Sequence, residues 1–376
     1  MTGATREIVL LGAGHTNVHV IRLWRTDPIP GARLTCVSDH AVAAYSGMLA
    51  GTLAGQYESH EMEIDLARQC ALADAQFVQA KALGLDPDTK QLRLEGRSPL
   101  AYDLLSIGVG SRPAVPEHAE GTLSIKPMQT FLARLQSKLA DLADDQQDRS
   151  RTIAIVGGGA AGVEIANCLD EHLRQTTSHG RGIELCLVEG GTQLLHGMPQ
   201  RTNMLAHHEL QRRQIRTRLN ARVAQVEDGR TLILASGERL GVDLVVWATV
   251  ARPSALLSQL NLPLDERGFL STRDSLQCSG YDDVFAVGDT GSVDGAPYAK
   301  AGVYAVRQGP ILWENLRRRI TGQVLLRWRP QSRFLSLLNT GEGKAILTYG
   351  AVACHTRWAW WLKDWIDRRF MGQHRE

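Results

Sequence analysis

At 376 residues the chain is too long for one ordinary α/β domain and suits two or three, with ample material for buried cores. Its 42 Lys and Arg against 40 Asp and Glu give nucleic acid no footing as the main partner. No stretch approaches the roughly 20 apolar residues of a membrane-spanning helix, and the N-terminus enters a strand without the basic region and long apolar run of a signal peptide. The six cysteines, Cys36, Cys70, Cys168, Cys186, Cys278 and Cys354, are scattered without C-x-x-C pairs or metal spacing. They read as reduced, mostly buried thiols of a cytoplasmic protein, and no metal site is expected.

The first predicted unit opens with "IVLLGAGHTN". An apolar run over 8–11 breaks into G-x-G, and apolar residues at helical spacing follow over 18–24. In a strand, turn and helix of this kind the first glycine makes the turn and the second admits a pyrophosphate, which then meets the free N–H groups of the helix start. Here the pair is Gly12 and Gly14, with Asn17 in place of a third glycine. The next strand, "ARLTCVSD", ends where an acidic side chain would hold an adenosine ribose. Ser38 fills that position, with Asp39 just after it. A buried strand, "YDLLSIGVGSRP", leads to a predicted domain crossover near 113–124. Then "LARLQSKLADLADDQQDRSR" carries Leu132, Leu135 and Leu139 at helical spacing before a polar run.

The second unit, "IAIVGGGAAGVE", has the complete set Gly157, Gly159 and Gly162, a helix over 163–173 and a strand, "IELCLVEGG", that ends in Glu189. A carboxylate there accepts from a ribose 2′-hydroxyl and repels a 2′-phosphate, which predicts NADH over NADPH. Two such loops predict two nucleotides held by one chain. "DLVVWATVARP" then echoes "YDLLSIGVGSRP", as two similar halves side by side would. In "DDVFAVGDTG" a buried strand puts Asp289 at the carboxyl end of a sheet, where it either faces a ligand or caps the next element.

Taken in order, "LLGAGHTN", "SIGVGSRP", "VGGGAAGVE", "WATVARP" and "DVFAVGD" resemble the pyridine nucleotide-disulphide oxidoreductases, flavoproteins with two dinucleotide-binding domains. The likeness covers essentially the whole chain. Within the family it is nearest to type II NADH dehydrogenases and to the flavoprotein module fused ahead of selenophosphate synthetase. "AYSGMLAGTLAGQY", "PYAKAGVYAVRQGP" and the tail "WWLKDWIDRRFM" resemble that module in particular. The resemblance implies an α/β fold with two Rossmann-like domains: an FAD domain (1–118 and 249–320), an inserted NAD(P)H domain (119–248) and a C-terminal interface or membrane-surface segment (321–376).

Residue by residue, it places Gly12 and Gly14 on the FAD pyrophosphate, Ser38 or Asp39 on its ribose, Ala82 at the adenine and Asp289 on the ribitol. Gly110, Gly288 and Ala301 join the FAD-binding positions, and Gly157, Gly159, Gly162 and Glu189 hold NADH. Two departures stand out: Asn17, and Val250 where the second turn usually has glycine, which bears on packing near the nicotinamide.

The implied chemistry is hydride transfer from NADH to FAD and onward transfer of electrons. Lys300, ahead of the helix expected to face the flavin, is a candidate catalytic residue that favours negative charge there; by residue type alone it is an ordinary solvent lysine. Glu164, directly after the second loop, either relays a proton or serves as a helix-start glutamate. Lys126 is an ion-pair candidate or, more simply, solvent-exposed. His15 and His19, one turn apart, are read as supporting or surface residues.

"AYSGMLAGTLAG" holds no cysteine, so a disulphide relay is not expected. The same stretch resembles the flavin-lining loop of type II NADH dehydrogenases, which makes a quinone or similar small molecule the leading acceptor. The rival is an FAD-binding partner or redox sensor with little turnover, linked to selenium metabolism, with selenophosphate synthetase as a partner. In the tail, Trp358, Trp361, Leu362, Trp365 and Ile366 form one apolar helix face. It is expected to pack on the FAD domain or across a homodimer, with a membrane surface or another protein as alternatives.

Overall fold

Strands that are apolar without alternation must be covered on both faces, and this chain supplies the covering helices between them. The computed structural model, which describes residues 5–144, 150–176, 182–296 and 298–375, shows that arrangement twice. The first runs β1 (Arg6–Leu11), α1 (His15–Thr26), β2 (Ala32–Ser38), β3 (Gln76–Gln79) and β4 (Leu104–Ile107). The second runs β5 (Leu123–Ser124), α2 (Met128–Asp144), β6 (Arg151–Val156), α3 (Ala160–Thr176), β7 (Ile183–Val188), α4 (Gln200–Arg212), β8 (Arg216–Arg218) and β9 (Leu244–Trp247). The chain then returns to the first with β10 (Val284–Ala286) and α5 (Gly302–Thr321).

Both sheets are parallel, in the orders β10-β4-β1-β2-β3 and β5-β9-β6-β7-β8. β1 and β6 hold the same central place. Both glycine loops therefore leave from a switch point, where open α/β sheets bind ligands. Each half also carries a three-stranded antiparallel meander, over 82–101 and 223–241. The echoing Arg-Pro segments pair with each other, Ser111–Pro113 running antiparallel to Ala251–Pro253. The two passages between the sheets are thus one hydrogen-bonded ribbon. α1 and α3 begin earlier than their apolar periodicity predicts, because the first turn of each is made of polar or small residues, His15, Thr16 and Asn17 or Ala160, Ala161 and Gly162, which apolar spacing does not register. The end of the polar run after α2, 145–149, lies outside the described residues.

The C-terminal unit is an antiparallel sheet, β11 (Ser336–Asn339), β12 (Ala345–Tyr349) and β13 (Val352–Thr356), followed by α6 (Arg357–Gly372). Thr356 caps α6 by accepting from the Ala359 N–H. The buried positions of α6, Ala359, Lys363, Asp367 and Met371, recur every four residues. Trp358, Trp361 and Trp365 are 51%, 62% and 57% exposed. This corrects the expectation that the apolar face packs on the first domain: α6 turns its charged side inward. It can do so because Lys363 and Asp367 pair with each other and with groups across the interface.

Arg213 fastens this unit to the second domain. Its buried guanidinium donates to Asp170 (2.7 Å), Glu209 (3.0 Å) and the Thr340 carbonyl (2.6 Å). A buried charge with every donor engaged recovers its desolvation cost, whereas removing it leaves the Thr340 carbonyl without its donor and the buried carboxylate of Glu209 with Arg212 alone. Arg213→Ala is expected to lower the unfolding free energy by about 3–5 kcal/mol in urea denaturation. A loss below about 1 kcal/mol, the size typical of a surface pair, would show that the network does not hold the unit in place.

Candidate functional site

A strand that passes into a helix through three residues brings its backbone against the neighbouring strand. At Gly12 (φ +81°) and Gly14 a side-chain carbon would lie 2.8 Å from the Gly108 carbonyl oxygen. In the second loop, one at Gly157 (φ +116°) would lie 2.4 Å from the Ala248 oxygen, and one at Gly162 would lie 1.7 Å from the Gly157 oxygen. Only glycine fits at these positions. Above Gly159 and Gly110, by contrast, nothing lies within 4 Å, which leaves open space over each turn.

The helices that begin here are uncompensated. α1 and α5 start at Gly14 and Ala301 without side-chain caps, and α1, α3 and α5 carry no acid in the first turn. Away from the site, helix Leu66–Leu72 and α6 are capped by Asp65 and Thr356, while α4 starts after Pro199 with neither a side-chain cap nor a first-turn acid. Helix starts beside glycine turns, those of α1 and α5 without side-chain caps, suit the pyrophosphates of dinucleotides.

Asn17, the departure in the first loop, is fully buried. Its Nδ2 donates to the Gly12 carbonyl (2.7 Å) and its Oδ1 accepts from Ser106 Oγ (2.7 Å). It pins the loop to β4 where a glycine would allow only close packing. Val250, the other departure, is 74% exposed and fills no packed position.

The remaining predicted residues gather around the two turns. Ser38 is buried at the end of β2, its Oγ accepting from the His40 N–H, with Asp39 largely exposed beside it. Ala82 opens the first meander. Gly110 donates its N–H to Thr290 Oγ1 (2.8 Å), and Gly288 donates to Gln308 Oε1 on α5 (2.6 Å). The Glu189 carboxylate stands on the second loop and accepts from the N–H groups of Gly158 and Gly191.

Asp289 caps no helix. Its Oδ2 accepts from Ser111 Oγ (2.6 Å) and Lys126 Nζ (3.2 Å). Burial would push its carboxyl up, but the Lys126 charge and these hydrogen bonds outweigh that and hold it below the ordinary carboxylate range. Lys126 is therefore an ion-pair partner, which corrects the simpler solvent reading. Lys300 is not a solvent lysine either. Its ammonium donates to the Gly291 carbonyl and lies 4.2 Å from the Phe269 ring centre and 4.9 Å from that of Tyr298. Burial, opposed by Asp289, brings it down to about 8.

Glu164 reaches across to the C-terminal unit, where Oε1 accepts from the Asn339 N–H (2.8 Å). Burial pushes its carboxyl above the ordinary range, partly countered by Lys363. Lys363 itself was missed in the sequence: its i,i+4 spacing to Asp367 reads as an ordinary polar helix face. In the fold its Nζ donates to Gly47 O (2.7 Å) and Asp367 Oδ2 (2.8 Å), while Asp367 Oδ1 accepts from Tyr45 OH (3.0 Å). Against burial, Asp367 and Glu164 raise the ammonium above its ordinary value. Cys168, one turn beyond Glu164, is single, buried and kept as a thiol by burial. Among the described residues no group of three or more His, Cys, Asp or Glu could hold a metal ion.

Residues 6–309 match the family model described as pyridine nucleotide-disulphide oxidoreductase. Among curated proteins, the NADH dehydrogenase-like protein YutJ of Bacillus subtilis is 24% identical over 352 residues, 93% of each chain. The demethylphylloquinone reductase NdbB of a Synechocystis species is 26% identical over 91% of this chain and 87% of its own. The fold also matches the solved structure of NDH2 from Plasmodium falciparum in complex with NADH, with a TM-score of 0.82 at 12% identity over 98% of this chain and 97% of that one.

Asn17→Ala leaves the Ser106 hydroxyl and the Gly12 carbonyl without their partner. It is expected to cost about 1–3 kcal/mol of stability by chemical denaturation, and an unchanged midpoint would show that the loop holds its shape without the clip.

Proposed function

Because the chain belongs to the pyridine nucleotide-disulphide oxidoreductase family, and so is an NAD(P)H-dependent flavoprotein oxidoreductase, we propose that it oxidises NADH and passes the electrons to a quinone. FAD, when bound, supplies the chemistry by taking up the hydride and passing the electrons on. In this reading the first loop, Gly12 and Gly14 with the start of α1, holds the FAD pyrophosphate. Ser38 or Asp39 holds its ribose, Ala82 its adenine and Asp289 its ribitol, with Gly110, Gly288 and the α5 start at Ala301 along the same cofactor. Lys300, in the segment leading into α5, adds positive potential beside it. The second loop, Gly157, Gly159 and Gly162, holds NADH, and Glu189 accepts from its 2′-hydroxyl and repels a 2′-phosphate.

The observation that carries the acceptor reading is the buried set Glu164, Lys363 and Asp367, joined to the Tyr45–Gly47 loop and containing no cysteine pair. Two-electron reduction of a quinone consumes two protons. Burial raises the Glu164 carboxyl's hold on its proton, and Asp367 and Glu164 raise that of the Lys363 ammonium, so the shifts of both groups run in the direction a proton donor needs. Disulphide reduction would instead need a pair of thiols.

A quinone with an apolar tail partitions into lipid. The outward tryptophans of α6, with Arg357, Arg368 and Arg369 around them, suit an interfacial seat on an anionic membrane. No helix among the described residues is long and apolar enough to cross one, so the contact in this reading is peripheral. The alternative, an FAD-binding sensor with little turnover, would be favoured if Asn17 and Val250 closed the nicotinamide site; Asn17 instead braces its own loop, and Val250 lies exposed.

Under anaerobic titration NADH is expected to bleach the visible flavin band at concentrations at least about tenfold below those NADPH needs, a preference that Glu189→Ala narrows. Equal response to the two nucleotides removes Glu189 as the selector, and a yellow protein that neither bleaches sinks the dehydrogenase reading.

Vesicles containing anionic phospholipid are expected to carry the protein down on centrifugation, and the triple change of Trp358, Trp361 and Trp365 to Ser to leave it in the supernatant. A wild-type chain that ignores vesicles and runs as a dimer in light scattering assigns the tryptophan row to a second copy instead.

A further inference from the structure

Asn339 is the last residue of β11 and is fully buried, and the proposed function gives its side chain no part. Three regions of the molecule meet on it. From α3, Glu164 Oε1 accepts its backbone N–H (2.8 Å). From the turn after β11, Gly341 donates its N–H to Asn339 Oδ1 (2.9 Å). From the segment after the Tyr45–Gly47 loop, Gln56 Oε1 accepts from Asn339 Nδ2 (2.6 Å), and Gln56 Nε2 donates to the Gly341 carbonyl (2.9 Å). The amide therefore closes a ring of hydrogen bonds with Gln56 and Gly341, and its own N–H leaves that ring for Glu164.

The packing around the ring is close on both sides. Gly341 stands at φ +87°, and a side-chain carbon there would lie 3.0 Å from Glu171 Cβ and 3.1 Å from the Asn167 carbonyl oxygen of α3. At Gly51 one would lie 3.3 Å from Asn339 Nδ2. The neighbouring Leu338 and Ile346 belong to the apolar core, which by itself asks for no amide at this position. A buried amide with donor and acceptor both engaged rigidifies whatever it is tied to. Here that is the backbone that reaches Glu164.

Glu164 is held by one oxygen: Oε1 has the Asn339 N–H, and among the described residues no protein group donates to Oε2. The charged and titratable groups that face the carboxyl are Lys363 and Asp367 on α6 and Cys168 one turn on along α3. Against burial, the Asn339 N–H favours the ionised carboxyl, the form left once a proton has gone to an acceptor.

We propose that Asn339 is the positioning residue for Glu164: its side chain locks the 339–341 turn against Gln56, so that the backbone N–H fixes one carboxyl oxygen and leaves the other free for the acceptor. The inference rests on the reading of Glu164 as a proton donor to a bound quinone.

The test compares the wild type with Asn339→Ala, Gln56→Ala and Glu164→Gln, all as full chains. Infrared titration between about pH 5 and pH 9 follows the protonated-carboxyl band that Glu164→Gln lacks. Loosening the N–H removes a contact that favours the carboxylate, so Asn339→Ala is expected to raise the midpoint by about 0.5–1 pH unit. An unmoved midpoint overturns the proposal, and so does a downward shift, the sign of water let into the site. In stopped flow, FAD reduced with dithionite is mixed with menadione. Asn339→Ala is expected to slow reoxidation about five- to tenfold, but less than about twofold when Glu164 is already Gln. An equal loss in both backgrounds leaves Asn339 a packing role only and overturns the proposal. Gln56→Ala spares the Gly341 bond and is expected to fall between wild type and Asn339→Ala; it carries the same comparison if Asn339→Ala does not fold. A Glu164→Gln chain that loses no titrating band and reoxidises at the wild-type rate sinks the proton-donor reading and this inference with it. Both effects in Glu164→Gln with neither in Asn339→Ala sink this inference alone.

Discussion

The close approach of two backbones at each switch point is the constraint from which the rest of the site follows. β1 and β4 part above Gly12 and Gly14, and β6 and β9 part above Gly157; in each case the turn passes too near the neighbouring carbonyl for any side chain. That approach fixes where the helices begin, and the helix starts fix where negative charge is welcome. The crossing ribbon of Ser111–Pro113 and Ala251–Pro253 then sets the two sheets so that both cradles belong to one molecule.

The C-terminal unit completes the arrangement by an inversion of the usual amphipathic rule. α6 buries Lys363 and Asp367 and leaves its tryptophans outside, which is tolerable only because every buried charge has a partner at hydrogen-bond distance. The same inversion brings an ammonium to the Tyr45–Gly47 loop and within electrostatic reach of Glu164. Packing and the proposed proton chemistry thus draw on one set of residues, while Arg213 joins the unit to Asp170 of α3 through the Thr340 carbonyl.

Much of this was legible in the chain itself. Apolar runs that break into glycine give the strand, turn and helix of both units; Glu189 is located by its distance from the second loop and Asp289 by the buried strand that it follows. What could not be read is pairing across long separations. Lys126 looks like any exposed lysine until Asp289 and Ser111 arrive from elsewhere. Lys363 and Asp367 look like a solvated face until Tyr45 and Gly47 cover them, and the role of Asn17 depends on Ser106 in another strand. Periodicity reports that a helix has two faces and does not report which one is turned inward.

The uncapped starts of α1 and α5 carry a consequence for the life of the protein in a cell. In the proposed reading an anionic cofactor meets the N–H groups of these helix ends, which no side chain caps, and so would stabilise the folded chain. Binding adds stability that grows with the logarithm of free ligand over its dissociation constant. In that reading occupancy and abundance are linked: a cell short of cofactor would keep less of this protein, because the unfilled form would open more often and be cleared first by proteases.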